Sequence, residues 1–170
     1  MDLKKYIRDI PDFPEKGIIF KDITPLLKSP KAFKYVIDAF TEYFENKDIN
    51  TVVGIESRGF IFAGALAYKN NWEFVPVRKP GKLPYKTIGE EYTLEYGTNK
   101  LEIHEDAIDR SSKVLIIDDV LATGGTLRAT ANLVKKLGGE IKGIGVLIEL
   151  EFLNGRKNLK EFNLYSLIRY

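Results

Sequence analysis

Residues 114–126, VLIIDDVLATGGT, constrain the possible folds of this chain more than any other segment. Residues 114–117 are a continuous apolar run, which is typical of a strand buried on both faces of a parallel sheet. We expect Asp118 and Asp119 where this strand ends, followed by a helix that opens at residues 122–126. Because ligands of open α/β sheets bind outside the carboxyl ends of the strands, the segment predicts a binding site at this edge.

The start of the predicted helix suits a phosphate group. Its backbone N–H groups, its hydroxyls and the positive end of the helix dipole can all bind an anion. The residues concerned are Ala122, Thr123, Gly124, Gly125 and Thr126. This is neither a Walker A loop nor a dinucleotide fingerprint, because the required lysine and glycine spacings are missing.

The acidic pair narrows the ligand further. Two carboxylates beside a phosphate cradle would repel a bare polyphosphate, but they can accept hydrogen bonds from a vicinal diol or hold a hydrated Mg²⁺. A ribose 5-phosphate fits both halves of this site. Helix capping is the simpler interpretation of Asp118 or Asp119, but it explains only one acidic residue.

Composition excludes several classes of protein. The 170 residues suffice for one domain, and a net charge of +2 is too balanced for a protein whose main partner is nucleic acid. The absence of cysteine excludes disulfides and thiolate chemistry, and the one histidine excludes a multi-histidine metal site. The chain has no signal peptide pattern and no apolar run of transmembrane length, so we expect no membrane partner and a cytoplasmic protein.

The order of predicted elements indicates a mainly parallel sheet flanked by helices. A strand–loop–helix–strand unit occurs twice, and such alternation is typical of right-handed crossovers. The predicted helices cover residues 30–46, 60–69 and 122–137, and the predicted strands cover residues 51–55, 73–77, 114–117, 141–148 and 162–169.

Residues 78–108 interrupt this alternation. Segments 92–96 and 100–104 alternate in polarity around Gly97-Thr98-Asn99, which predicts an antiparallel hairpin or flap. A long insertion of this kind in a small α/β domain is usually a lid or an interface.

Basic residues follow two of the predicted strands. Arg58 lies in ESRGF after the first, and Arg78, Lys79 and Lys82 lie in RKPGK after the second. These cations could converge on a pyrophosphate leaving group, on which charge develops as its bond to carbon breaks. A solvated charge run is the alternative.

Residues 13–27 lack a clean period. Gly17, Ile18, Ile19 and Phe20 could form an apolar slot with an aromatic face for a heterocyclic base, or they could simply pack in the core. Composition alone does not decide between the two.

Five motifs in order resemble the adenine phosphoribosyltransferases, a family of type I phosphoribosyltransferases. They are FPEKGIIFKDITPLL, ESRGF, RKPGKLP, LEYG and DDVLATGGT, and the likeness covers nearly the whole chain. The resemblance implies a single domain over residues 1–170, with an N-terminal base-binding hood at residues 1–30 and a flexible hairpin flap at residues 78–108. It also implies a homodimeric purine-salvage enzyme that converts adenine and phosphoribosyl pyrophosphate (PRPP) into AMP and pyrophosphate with Mg²⁺.

The resemblance implies a role for each matching residue. Asp118 and Asp119 would bind the ribose hydroxyls and could also contact the Mg²⁺ through water, and residues 122–126 would bind the 5-phosphate. Arg58, Arg78, Lys79 and Lys82 would contact pyrophosphate. Adenine would stack on Phe20, have its edge read by the backbone of Ile19 and Lys21, and be closed in by Leu150. Glu95 would manage the purine's imidazole proton. Lys21 stands where the family often has Arg, which is tolerable if only the backbone reads the base.

Three other functions compete with this one. A phosphoribosyltransferase for another base, such as xanthine, would share the PRPP loop but need a different base slot. A PRPP-sensing regulator would use the same fold without catalysis, but no helix-turn-helix precedes Pro11. A PRPP synthetase-like protein is disfavoured because the sequence shows no ATP site.

Overall fold

The computed structural model describes residues 1–93 and 98–170. They form two compact units, Met1–Ala39 and Phe40–Tyr170. Among the described residues, no helix is both long and apolar enough to cross a membrane.

The first unit is built around a small antiparallel ladder that the sequence analysis did not predict. Strands β1 (Arg8–Pro11) and β2 (Ile19–Asp22) pair from Arg8 with Asp22 to Pro11 with Ile19. Helix α1 (Thr24–Lys28) follows, and α2 (Pro30–Phe44) begins in this unit and ends in the second. The strands are only four residues long, too short for alternation to stand out from the turn-forming residues around them.

The second unit holds the remaining elements. In chain order they are β3 (Thr51–Ile55), α3 (Gly59–Asn70), β4 (Glu73–Val77), β5 (Thr87–Thr93), β6 (Thr98–His104), β7 (Lys113–Leu121), α4 (Gly125–Lys136), β8 (Glu140–Glu149) and β9 (Leu164–Arg169). Five of these strands form one sheet in the order β4-β3-β7-β8-β9, and every neighbouring pair is parallel. The predicted α/β fold with a central parallel sheet is therefore confirmed.

The centre of this sheet is apolar because it is covered on both faces. All five residues of β3 are buried, as are Val114, Leu115, Ile116 and Ile117 of β7. Helices α3 and α4 supply buried residues such as Phe62, Leu66, Leu133 and Val134. Continuous apolar strands need this double coverage, as the sequence indicated.

Strand β7 is longer than predicted. We expected it to end before the acidic pair, but it continues to Leu121 because β8 keeps pairing with it, with Asp118 opposite Val146 and Leu121 opposite Glu149. On the other side, pairing with β3 ends at Ile117. The acidic pair is thus held by one neighbouring strand and faces an opening on its other side.

The insertion between the two halves forms the predicted antiparallel hairpin. Strand β5 begins at Thr87, earlier than the sequence pattern indicated, and pairs with β6 from Thr87 opposite His104 to Thr93 opposite Thr98. Thr98 and Asn99, which we predicted in the turn, belong to β6. The hairpin also packs on α4, since Glu90 accepts a hydrogen bond of 2.8 Å from Asn132 Nδ2 and forms an ion pair of 2.5 Å with Lys136. These partners are distant in sequence, so alternation alone could not reveal the earlier start.

Candidate active site

The carboxyl ends of β3 and β7 open onto a cleft of about 540 Å³, here called the edge cleft. Six of the predicted site residues line it, namely Arg58, Lys79, Asp118, Asp119, Ala122 and Thr126. Tyr92 and Asn99 of the hairpin form another part of the wall. Parallel strands bring these sequence-distant residues together because their carboxyl ends lie at one edge of the sheet.

The acidic pair lies at the bottom of the edge cleft and is almost fully buried. Asp118 is 8% exposed and Asp119 is 5% exposed. The backbone N–H of Asp119 donates to Asp118 Oδ1 over 2.9 Å, and Arg58 Nε lies 2.5 Å from Asp119 Oδ2. Asp119 Oδ2 receives no hydrogen bond of good geometry from the described residues. A carboxylate oxygen that is paired by charge in this way still has a lone pair that can accept a hydrogen bond from a ligand.

The start of α3 packs directly against this pair. A Cβ atom at Gly59 would lie 2.9 Å from the carbonyl oxygen of Ile117 and 3.1 Å from Asp118 Oδ1. Only glycine allows so close an approach, which brings the neighbouring Arg58 to the acidic pair.

The electrostatics of the pair disfavour two negative charges. Burial raises the pKa of the Asp118 carboxyl well above its ordinary value, the charge of Asp119 raises it further, and Arg58 opposes both effects. A buried carboxylate beside another is costly in the free protein. A diol donating hydrogen bonds, or a cation, would lower that cost on binding.

The predicted phosphate loop joins β7 to α4. Gly124 has φ +86°, a left-handed conformation that favours glycine, and α4 begins at the next residue. Residues 120–127 line a small cavity of about 50 Å³ around this turn, to which Thr123, Gly124 and Gly125 contribute. Thr126 lines both this cavity and the edge cleft. A helix start of this kind is a ready anion site.

The four predicted cations separate into two groups. Arg58 and Lys79 line the edge cleft, whereas Arg78 Nε forms an ion pair of 3.2 Å with Glu56 Oε2 and Lys82 is exposed. Burial raises the pKa of Glu56, but hydrogen bonds from the Lys79 backbone and the Arg78 side chain outweigh it and lower the pKa overall. Glu56 thus organises the basic loop, a role that the ESRGF motif contained but that our sequence analysis did not assign.

The predicted base-binding residues lie mainly in the first unit. Ile19, Phe20 and Lys21 are consecutive on β2, where Ile19 is 55% exposed. The Phe20 ring contacts Phe13 edge to face at 5.2 Å, and Lys21 Nζ pairs with Asp9 at 2.8 Å. Because the Lys21 side chain has its own partner, the interpretation that only its backbone reads the base remains consistent.

The two other predicted residues lie elsewhere. Leu150 belongs to the second unit, directly after β8, and its N–H donates to the Leu121 carbonyl over 2.9 Å. Glu95 lies outside the described residues.

A parallel sheet with an acidic pair and a phosphate loop at its carboxyl edge defines a class of proteins that bind phosphorylated sugars. Residues 22–166 match the family model described as phosphoribosyl transferase domain. The chain belongs to this family.

Full-length relatives of this chain narrow the assignment within the family to the adenine phosphoribosyltransferases. The enzyme of that name from Thermotoga neapolitana is 60% identical over 170 residues, covering 100% of both chains. The solved structure of the Thermoanaerobacter pseudethanolicus enzyme superposes with a TM-score of 0.97 at 52% identity, covering 99% of this chain and 98% of that one. The Saccharomyces cerevisiae enzyme, solved with an imino-altritol bisphosphate and adenine, gives 0.92 at 40% identity, covering 98% of this chain and 96% of that one.

Proposed function

We propose that this chain transfers the 5-phosphoribosyl group of PRPP to adenine, which yields AMP and pyrophosphate in purine salvage. The observation that carries the proposal is the edge cleft, which combines a buried acidic pair, a phosphate loop and two cations. The 60% identity to an adenine phosphoribosyltransferase over the full length of both chains supports the same reaction. The enzyme is accordingly a glycosyltransferase.

The reaction exchanges one bond at the anomeric carbon of the ribose. The bond to pyrophosphate breaks with both electrons leaving on the pyrophosphate oxygen, and adenine N9 supplies the pair for the new bond. Arg58 and Lys79 stabilise the charge that develops on the leaving group, because cations fixed beforehand need no reorganisation. Arg78 and Lys82 join them if the basic loop moves toward the ligand.

The phosphate loop and the acidic pair hold the sugar in place. Residues 122–126 bind the 5-phosphate through backbone N–H groups and hydroxyls, and Asp118 and Asp119 accept hydrogen bonds from the ribose hydroxyls. Fixing both ends of the sugar aligns its anomeric carbon with adenine N9, which removes much of the entropic barrier.

Magnesium fits this donor set as a partner of the substrate. Within residues 1–93 and 98–170, no cluster of three or more acidic or histidine side chains could hold a metal ion on its own. Mg²⁺ prefers phosphate oxygens and water with only one or two carboxylates. The pyrophosphate of PRPP would therefore hold the ion, with Asp118 and Asp119 as partners through water. The ion would neutralise phosphate charge.

Adenine is proposed to stack on Phe20, with the backbone of Ile19 and Lys21 at its edge, and Leu150 is a further proposed adenine contact. Glu95 takes the proton that leaves the imidazole ring as N9 bonds to carbon. The hairpin within residues 78–108 acts as a flap that excludes water, which would otherwise hydrolyse PRPP.

The assay that tests this function supplies each purine base with PRPP and Mg²⁺ and follows pyrophosphate release. We expect adenine to be converted and hypoxanthine, guanine and xanthine to be poor substrates. These three carry a carbonyl where adenine has an amino group, so a site with fixed backbone partners leaves a polar group unpaired. Comparable turnover of guanine or xanthine would contradict the adenine specificity but not the family.

We also propose a homodimer that acts in the cytoplasm, where its phosphorylated substrates are retained. Three large apolar residues of α3 and β4 are exposed in the single chain: Ile61 at 41%, Tyr68 at 93% and Phe74 at 40%. Such residues are common where a partner covers them. Sedimentation equilibrium at micromolar concentration should give about twice the chain mass of 19.4 kDa. A mass equal to that of one chain would contradict the dimer.

A further inference from the structure

The short 3₁₀ helix Gly155–Leu159, here called the support segment, contacts the outer side of the phosphate loop. Asn158 Nδ2 donates a hydrogen bond of 2.8 Å to the carbonyl oxygen of Thr123. A Cβ atom at Gly155 would collide with the carbonyl oxygen of Ala122, and one at Gly124 would lie 2.7 Å from the carbonyl oxygen of Gly155. The two backbones are therefore in direct contact along two consecutive peptide groups of the loop.

The support segment is fixed to the sheet. Arg156 makes two hydrogen bonds to Glu149 at the end of β8, of 2.8 and 2.6 Å, and a third of 3.2 Å to the Leu164 carbonyl on β9. The hydrogen bonds from Arg156 lower the pKa of Glu149, which keeps this nearly buried carboxylate charged. Leu159, 1% exposed, packs in the core. The support segment is thus anchored to β8 and β9 where it contacts the phosphate loop.

The same segment is also fixed to the helix that follows the loop. Arg128 of α4 donates to the carbonyl oxygen of Asn158 and forms a hydrogen bond of 3.0 Å with Glu161. Its guanidinium carbon lies 5.5 Å from the centre of the Phe162 ring. Asn158 therefore joins the loop through its side chain and α4 through its backbone.

These contacts set the direction of the loop's amides. In a trans peptide group the C=O and the N–H point in opposite directions. The carbonyls of Ala122 and Thr123 face the support segment. The N–H groups that share those peptide planes, of Thr123 and Gly124, must then point away from it.

We propose that Asn158 is a positioning residue for the substrate's 5-phosphate. By holding the Thr123 carbonyl on the outer side of the loop, it keeps the Gly124 N–H directed at the phosphate before the substrate arrives. Gly155 serves the same end by leaving room for the Ala122 carbonyl. The proposal rests on the proposed function, since it assigns a role within the PRPP site.

The test compares Asn158→Ala and Asn158→Asp with the matched control Lys157→Ala, which changes an exposed neighbour in the same segment. In Asn158→Ala, the KM for PRPP should rise about tenfold, the scale of one lost hydrogen bond with slight misplacement of the amides. The kcat and the KM for adenine should stay within about twofold. Asn158→Asp should raise the KM for PRPP further, because a carboxylate cannot donate to the carbonyl and adds negative charge near the phosphate. Lys157→Ala should match the unsubstituted protein.

The outcomes distinguish failure of the positioning role from failure of the proposed function. A PRPP KM within twofold of the unsubstituted value in both Asn158 variants would contradict the positioning role alone. A general structural role would instead lower kcat and the melting temperature without this selective effect on PRPP, and that outcome would also contradict the proposal. Failure of the unsubstituted chain to form AMP would contradict the proposed function itself.

Discussion

Replacing Asp118 and Asp119 together by Asn is expected to weaken PRPP binding by about a hundredfold or more. Hydrogen bonds to charged groups contribute about 1.5–3 kcal/mol each, and this variant weakens two of them while keeping the size of both side chains. Isothermal titration calorimetry, with PRPP added to the protein in the presence of Mg²⁺, measures the change in affinity. The control variant Glu140→Gln changes the first residue of β8, far from the carboxyl end of the sheet where the acidic pair lies, and should bind PRPP normally. Unchanged affinity in the double variant would return the acidic pair to a purely structural role.

Loss of the fold is not expected to explain such a result, because the ionised Asp118 carboxylate is unfavourable in the free protein. Burial raises the pKa of Asp118, and the charge of Asp119 raises it further. As the pH rises above 3.8, the unfolded chain loses this proton more readily than the folded protein, so the free energy of unfolding falls until the pH reaches the folded-state pKa. Asp118→Asn alone should therefore melt no lower than the unsubstituted protein at pH 7. Any gain in melting temperature should shrink as the pH falls through 3.8, because below that value the unfolded chain keeps the proton as well.

The second large effect is expected at Glu95. Changing it to Gln keeps the shape but removes the basic site, so kcat should fall by about a hundredfold or more, the usual scale for losing a general base. The KM for adenine should change less, because adenine is proposed to bind through stacking and backbone contacts. Single-turnover measurements should show the same loss, since the proton is managed in the chemical step.

A neighbouring carboxylate provides the comparison for this variant. Glu91 is an exposed residue of β5 four positions earlier in the sequence, and Glu91→Gln removes an equal charge. We expect it to turn over normally. A normal single-turnover rate in Glu95→Gln would mean that another group accepts the proton.

The local sequence pattern predicted the main strands and helices of the second unit well. Strand β3 has the predicted bounds, and α3, α4 and β8 differ from prediction by a few residues at most. Long apolar strands and helices with glycine boundaries carry their structure in adjacent residues, so sequence suffices for them. The family and its reaction, expected from five ordered motifs, are confirmed by the family model and by full-length relatives.

Features that depend on distant partners were not predictable in this way. Strand β7 outruns its apolar stretch because β8 continues beside it, and β1 and β2 exist only as a pair. Arg78 looked like a free cation in sequence, yet Glu56 holds it. Neither Gly155 nor Asn158 forms part of a motif, since their significance arises only where the chain returns to the phosphate loop.

Because β3 stops pairing with β7 at Ile117, strand pairing does not join the two sides of the site beyond that residue. The sugar phosphate is proposed to bind on the side formed by β7, β8, α4 and the support segment, and the leaving group on the side formed by the loops after β3 and β4. The contact between Arg58 and Asp119 bridges this seam. That contact couples the two sides of the site, so a change at the leaving-group loops also alters the surroundings of the carboxylate proposed to hold the ribose.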